Sequence, residues 1–125
     1  MIFTPHLRAD VDIKGCFGRP FKPQKFSCKI SLEQRREWDE AVAPLIESIK
    51  QSHPSVKFFD QNAFFCGPTE CSLVVDGMPT VRDQYHHLSE YASLKMAELF
   101  AKWAEENLPE ILQPSTGVTV PSPAR

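Results

Sequence analysis

Residues 81–89 read Val-Arg-Asp-Gln-Tyr-His-His-Leu-Ser, and this segment combines two signals. Asp83 and His86 stand in Asp-x-x-His spacing, and Ser89 is a good N-cap for a helix that follows it. A carboxylate that orients an imidazole is the acid–base half of a serine hydrolase or acyltransferase site. The segment therefore predicts a loop that presents a proton acceptor and is held in place by the helix behind it.

The chain after Ser89 has the apolar pattern of an amphipathic helix that ends at Asn107-Leu108-Pro109. Its predicted buried stripe is Leu94, Ala97, Phe100, Ala101 and Ala104, widened by Met96, Leu99 and Trp103. Residues 113–125 are rich in Pro, Ser and Thr. We therefore expect one domain over residues 1–112 and a disordered tail over residues 113–125.

A second amphipathic helix is predicted to begin at Ser31, which can form a capping box with Gln34. Its apolar face, which we expect to lie in the core, is Trp38, Ala41, Val42, Leu45, Ile46 and Ile49. Pro44 is expected to kink or break this helix near its middle. His53-Pro54 should end it.

Short apolar runs predict the strands. Residues 2–4 have the pattern of the end of a strand, and residues 56–59 that of a short strand after the helix, an order typical of a parallel sheet. Asp76-Gly77 is a hairpin turn signal between residues 72–75 and 78–81. The predicted fold class is α/β, with a short parallel sheet, two main amphipathic helices and long loops.

Four cysteines, Cys16, Cys28, Cys66 and Cys71, fall into two local pairs. Four cysteines allow three connectivities. Short loops close easily, so we predict the sequential pairing Cys16–Cys28 and Cys66–Cys71, of which the first would pin a long irregular loop. Disulfides indicate an oxidising compartment such as a periplasm. The alternative is four reduced thiols in a cytosolic protein.

Composition argues against several classes of function. A net charge of −2 gives no electrostatic case for binding nucleic acid or an anionic membrane. No apolar run is long enough to span a bilayer, and the first residues lack the features of a signal peptide. We therefore expect an export or membrane segment upstream of this sequence. No metal ion or organic cofactor is indicated.

The order of these features resembles the SGNH (GDSL-like) hydrolase domain. The version that it resembles is fused to the C-terminus of bacterial membrane acyltransferases of the acyltransferase-3 family. The matching positions are Pro5, Cys16 with Arg19, Cys28, the helix at Ser31, Phe58-Phe59-Asp60, Cys66, Cys71 and residues 83–89. The likeness covers about residues 1–112. It implies the C-terminal part of a flavodoxin-like α/β/α sandwich.

The resemblance implies an extracytoplasmic O-acyltransferase or esterase of cell-surface polysaccharide, lipopolysaccharide or peptidoglycan. Its substrate would be an acylated glycan, and its partner an upstream membrane acyltransferase domain. Asp83 would be the triad acid, and His86 or His87 the base. Counting three residues from Asp83 selects His86, whereas counting back from Leu88-Ser89 selects His87. A rigid helix start slightly favours His87.

The family's nucleophilic serine lies in a Gly-Asp-Ser segment that does not occur in this sequence. The serines of the first half, none of which we expect at a strand-to-helix elbow, are Ser27, Ser31, Ser48, Ser52 and Ser55. We therefore expect the C-terminal half of an enzyme domain that is inactive alone. One alternative is a non-catalytic periplasmic remnant that binds a glycan or a partner. Another is a cytosolic interaction domain in which the Asp–His segment is incidental.

Overall fold

The computed structural model describes residues 1–9, 11–25 and 27–113. Two long helices, α1 (Leu32–Ser52) and α2 (Glu90–Asn107), are joined to short strands. The strands are β1 (Ile2–Phe3), β2 (Lys29–Ser31), β3 (Phe58–Phe59), β4 (Glu70–Ser72), β5 (Val74–Val75) and β6 (Met78–Pro79). Residues 114–125 of the expected tail lie outside the described residues.

The strands form short pairs. β1 and β3 are parallel, and β2 pairs with β4 and β5 with β6 in antiparallel fashion. The turn between β5 and β6 is Asp76-Gly77, whose φ angles of 52° and 73° both fall in the left-handed region. A two-residue hairpin turn of this kind requires that backbone, and Asp-Gly supplies it. The predicted α/β class, with a short parallel sheet and two main helices, is confirmed.

Helix α2 packs against β3 and supplies much of the core. Its predicted N-cap is confirmed, because the Ser89 Oγ accepts the N–H of Ala92 at 3.0 Å. The ring of Phe59 lies edge-on to those of Phe100 and Trp103, with centroids 5.4 Å apart in each pair. Edge-on aromatic pairs at this spacing stabilise the fold by more than the burial of their surface alone would.

The buried face of α2 is rotated from the predicted stripe. Its buried residues are Ala92, Met96 and Ala104, and Leu99, Phe100 and Trp103 are partly buried beside them. Three residues of the predicted stripe, Leu94, Ala97 and Ala101, are exposed. The prediction is wrong for these three residues because α2 carries apolar residues on more than one side. Only tertiary contacts decide which side is buried.

Helix α1 is capped as predicted but is not covered as predicted. The Gln34 N–H donates to the Ser31 Oγ at 3.1 Å, and the Ser31 N–H donates to the Gln34 side chain at 3.0 Å. No residue of α1 is buried: Trp38 is half-buried and Leu45 is 61% exposed. The prediction that the apolar face of α1 lies in the core is therefore wrong within the described chain. The main neighbours of α1 there are β2 and β4, and they leave this face largely exposed.

Pro44 does not break α1, which runs from Leu32 to Ser52 through it. Proline has no N–H to donate to the carbonyl of Glu40, one turn earlier. Both residues are exposed, so water can satisfy that carbonyl. Of the predicted kink or break, the break is therefore wrong, because the missing bond lies on a solvent-exposed face of the helix.

Both predicted disulfides, Cys16–Cys28 and Cys66–Cys71, are confirmed. Three of their four cysteines are buried in the core, beside Leu7. The first bridge closes a loop with a sequence separation of 12, and the second closes one of 5. The long irregular stretch before α1 is thus fastened to the core at its middle and at its end.

Candidate active site

The segment between β6 and α2 forms a closed loop. The Arg82 N–H donates to the carbonyl of His87 at 2.9 Å, and the Ser89 N–H donates to the carbonyl of Thr80 at 3.0 Å. These backbone bonds bring the two ends of the loop together immediately before α2. The loop therefore has a fixed base, and its side chains are divided between an outer and an inner side.

Asp83 is hydrogen-bonded to His87 on the outer side. The Asp83 Oδ2 lies 2.7 Å from the His87 Nδ1, and the Asp83 Oδ1 accepts the N–H groups of Tyr85 and His87 at 2.9 and 3.3 Å. The His87 side-chain bond, followed by these backbone bonds, holds the pKa of Asp83 below its ordinary value. An ionised carboxylate only accepts, so a neutral His87 carries its proton on Nδ1 and leaves Nε2 bare.

His86 faces the inner side of the loop. Its backbone has a φ of 63°, in the left-handed region, and the residue is only 9% exposed. Its Nε2 donates to the carbonyl of Ala9 at 2.7 Å, and its own carbonyl accepts the Nε2–H of His6 at 3.0 Å. Two reciprocal imidazole-to-backbone bonds therefore tie the loop to residues 6–9. A left-handed backbone at a non-glycine residue is unfavourable and persists where surrounding contacts determine it.

Asn62 fixes the segment that carries His6. The Asn62 side chain is buried, accepting the N–H of Leu7 at 2.7 Å and donating to the carbonyl of Pro5 at 2.9 Å. Burial lowers the pKa of His6, which favours its neutral ring. Neither His6 nor Asn62 could be identified from the sequence, since their partners are 55 to 80 positions away and no local pattern marks them.

The structure separates the two histidines that the sequence left as alternatives. Asp83 bonds to His87, four residues on, which is the residue that the count back from Leu88-Ser89 selects and not the one three residues from Asp83. The left-handed turn at His86 sends that ring inward and returns His87 to the carboxylate. The catalytic roles of Asp83, His86 and His87 stay predictions.

Two serine hydroxyls at helix starts are engaged in caps. Contrary to expectation, Ser31 does lie at a strand-to-helix junction, between β2 and α1, but its φ of −67° and ψ of 155° are unstrained. The Ser89 Oγ donates to the carbonyl of Pro79 at 2.6 Å besides capping α2. Within the described residues, no serine hydroxyl is hydrogen-bonded to the ring of His87.

A search for further chemistry in the described part of the chain finds no metal centre and no membrane span. No group of three or more His, Cys, Asp or Glu side chains is arranged to hold a metal ion there. Neither long helix in those residues combines the length and apolar character that crossing a bilayer requires.

The structure is thus that of a disulfide-bonded α/β domain in which a carboxylate is hydrogen-bonded to an imidazole just before a helix. A family model described as SGNH domain (fused to AT3 domains) matches residues 2–102, so this chain belongs to that family. No curated protein and no solved structure matches the chain. The matched range contains the loop and both disulfides, which confirms the resemblance drawn from the sequence.

Proposed function

We propose that this chain is the C-terminal part of an SGNH-type O-acyltransferase or esterase domain. In this proposal, it supplies the acid and the base of a Ser-His-Asp triad. The observation that carries the proposal is the 2.7 Å bond between Asp83 and His87, made on the exposed side of the loop. Family membership supports the reaction class. The proposed substrates are acyl groups on cell-surface polysaccharide, lipopolysaccharide or peptidoglycan.

His87 acts as the proton acceptor in this mechanism. Its bare Nε2 takes the proton of a serine hydroxyl as that oxygen attacks the ester carbonyl, and the Asp83 carboxylate stabilises the resulting imidazolium. The imidazolium then protonates the departing sugar oxygen, which leaves an acyl-serine intermediate. A second sugar hydroxyl or water, deprotonated by the same Nε2, removes the acyl group. Acceptance by a sugar gives transfer, and acceptance by water gives hydrolysis.

The attacking serine, in this proposal, lies on a segment outside these 125 residues. The capping bonds of Ser31 and Ser89 support this assignment, since both hydroxyls already serve the helix starts. The chain by itself is then inactive. Its partners in this proposal are the segment that carries the serine and, in addition, an upstream membrane acyltransferase domain. The two disulfides and the family's fusion to AT3 domains favour an extracytoplasmic location.

The test is aryl acetate hydrolysis by the complete acyltransferase that contains this domain. His87→Ala should lower kcat/KM by about 10³-fold or more, because it removes the proton acceptor. His86→Asn is the matched control, since asparagine tolerates the left-handed backbone, and it should stay within about tenfold of the wild type. The 125-residue chain alone should show no turnover.

Three results would contradict the proposal. One is turnover by the isolated chain that a single serine substitution abolishes. Another is a large rate loss in His86→Asn with a normal rate in His87→Ala. The third is a normal rate in both variants, which would favour the non-catalytic alternative.

A further inference from the structure

Positive charge is concentrated around one cavity, although the whole chain carries a net charge of −2. Lys14, Arg19, Lys22 and Lys25 line a cavity of about 310 Å³ in the loop before α1. We call this space the basic cavity. The carboxylate of Asp12 also lines it, with its Oδ1 accepting the N–H of Lys14 at 3.0 Å. Four cations therefore face a space that one carboxylate shares.

The cations of the basic cavity form no ion pair with another described residue. The basic residues of α1 differ, since Arg35, Arg36 and Lys50 each pair with a carboxylate at 3.0 Å or less. Like charges gathered without partners repel one another and raise the local potential. Such an arrangement is unfavourable by itself and becomes favourable when an anion enters the cavity.

The backbone around the basic cavity is fixed in advance. The Lys25 N–H donates to the carbonyl of Gly15 at 3.0 Å, and Arg19 and Lys22 exchange two backbone bonds of 2.8 and 2.9 Å. The Cys16–Cys28 disulfide joins the same loop to the core. A site that is ordered before binding loses less conformational entropy when its ligand arrives.

Phe21 stands at the tip of this loop in an unfavourable state. Its side chain is fully exposed, and its φ of 63° lies in the left-handed region. Aromatic residues are usually buried, and strained backbone is concentrated at ligand sites. Phe21 lies in the chain between Arg19 and Lys22, two of the cations that line the cavity, although its own side chain is not part of the lining.

The basic cavity adjoins a second cavity that reaches Arg82, the residue before Asp83. An adjoining cavity of about 430 Å³ shares Lys14, Phe17 and Arg19 with it and is also lined by Arg82. The Arg82 Nε lies 3.5 Å from the Asp83 Oδ2. A chain molecule bound in the basic cavity can therefore extend along this surface toward the loop of Asp83.

We propose that the basic cavity binds a segment of anionic glycan through its carboxylate or phosphate groups. The ring of Phe21 would pack on a sugar face. This inference rests on the function proposed above, because the acidic sugar would lie next to the acylated sugar of the proposed substrate. A glycan fits better than a membrane surface, since interfacial binding needs a broad apolar face, whereas here a concave site carries a single exposed ring.

The test is the binding of an oligogalacturonate, a carboxylate-bearing oligosaccharide, to the 125-residue chain in an NMR titration. We expect binding that weakens with added salt and shifts the amide signals of the basic cavity. Lys22→Gln/Lys25→Gln should raise the Kd about tenfold. The control Lys57→Gln/Lys102→Gln removes the same charge from exposed lysines elsewhere and should bind like the wild type.

Several results would overturn this inference. They are equal weakening by both double variants, equal affinity for a neutral malto-oligosaccharide of the same length, or binding to phosphatidylglycerol vesicles without binding to the oligosaccharide. Binding and catalysis fail separately: a failed titration leaves the rate effect of His87→Ala intact, and a failed rate test leaves the titration intact.

Discussion

The outer and inner sides of the loop of residues 83–88 differ in what their imidazoles do. On the outer side, the ring of His87 is exposed, hydrogen-bonded to the carboxylate of Asp83 and next to the ring of Tyr85. On the inner side, His86 is buried and bonded to the backbone of Ala9, 77 residues earlier. Adjacent rings thus have separate tasks: one fastens the loop to the domain, and the other presents a free nitrogen.

The difference teaches that spacing in sequence does not identify the partner of a carboxylate. The Asp-x-x-His spacing predicted His86 as the partner of Asp83. The left-handed backbone at His86 instead turns its ring inward and leaves the ring of His87 beside the carboxylate. The residue that carries the turn is also the one held by His6. The predictions below ask whether the inner side is structural and the outer side chemical.

Among these variants, loss of the Cys16–Cys28 disulfide should lower stability the most. Replacing Cys16 and Cys28 by serine should lower the free energy of unfolding by about 3 kcal/mol, and replacing Cys66 and Cys71 by about 2 kcal/mol. The first bridge closes the longer loop, with a separation of 12 against 5. Urea unfolding followed by circular dichroism gives both values. If the two losses in the free energy of unfolding are equal, or if their order is reversed, the Cys16–Cys28 bridge does not stabilise the fold more than the Cys66–Cys71 bridge.

Substitutions in the two histidines should then separate stability from chemistry. His86→Ala loses a buried hydrogen bond and keeps a left-handed backbone, so it should destabilise the chain by about 1–3 kcal/mol. His87→Ala should change stability by less than about 0.5 kcal/mol, as exposed positions usually do. Thermal melts of both variants check this.

His86→Gly sharpens the same comparison. Glycine adopts the left-handed backbone readily, so this variant should be more stable than His86→Ala by up to about 1 kcal/mol. If His86→Gly and His86→Ala melt together, backbone strain does not contribute. If His87→Ala proves as destabilising as His86→Ala, the division between the two sides is wrong.

The smallest expected effect is a shift in one titration. His87→Ala should raise the pKa of Asp83 toward its ordinary value of 3.8, because the largest cause of its depression is then absent. A depressed pKa stabilises the folded state above the ordinary value, and that contribution is lost as the pH falls through the folded pKa. In His87→Ala, Asp83 therefore contributes less to stability than in the wild type at every pH above its ordinary pKa.

Carbon NMR of the Asp83 carboxyl group measures this titration directly. His86→Asn is the control, and it should leave the titration of Asp83 as it is in the wild type. An unchanged curve in His87→Ala would mean that the bond between the two side chains does not form in solution.

Features set by neighbouring residues could be predicted from the sequence. The caps at Ser31 and Ser89, the turn at Asp76-Gly77 and the two disulfide pairs all depend on residues within a few positions of each other or on short loops. Their local chemistry leaves few alternatives, and the structure confirms each of them.

Features set by distant residues could not be predicted. Which face of each helix is covered depends on tertiary neighbours, so Leu45 and Leu94 were expected in the core and are exposed. The bonds of His6 and Asn62 join segments more than 50 positions apart, and no motif records them. The candidate residues are evident in the sequence, and the helix start slightly favours His87, but the bond from Asp83 to His87 depends on the left-handed backbone at His86, which no local pattern marks.

The central claim is that Asp83 holds His87 with Nε2 free to accept a proton. Long-range ¹H–¹⁵N NMR of the histidine rings in the 125-residue chain tests it most directly. The account predicts that the neutral form of His87 carries its proton on Nδ1 and that Asp83→Asn reverses this tautomer preference. A neutral His87 protonated mainly on Nε2, or one whose tautomer does not respond to Asp83→Asn, would contradict it.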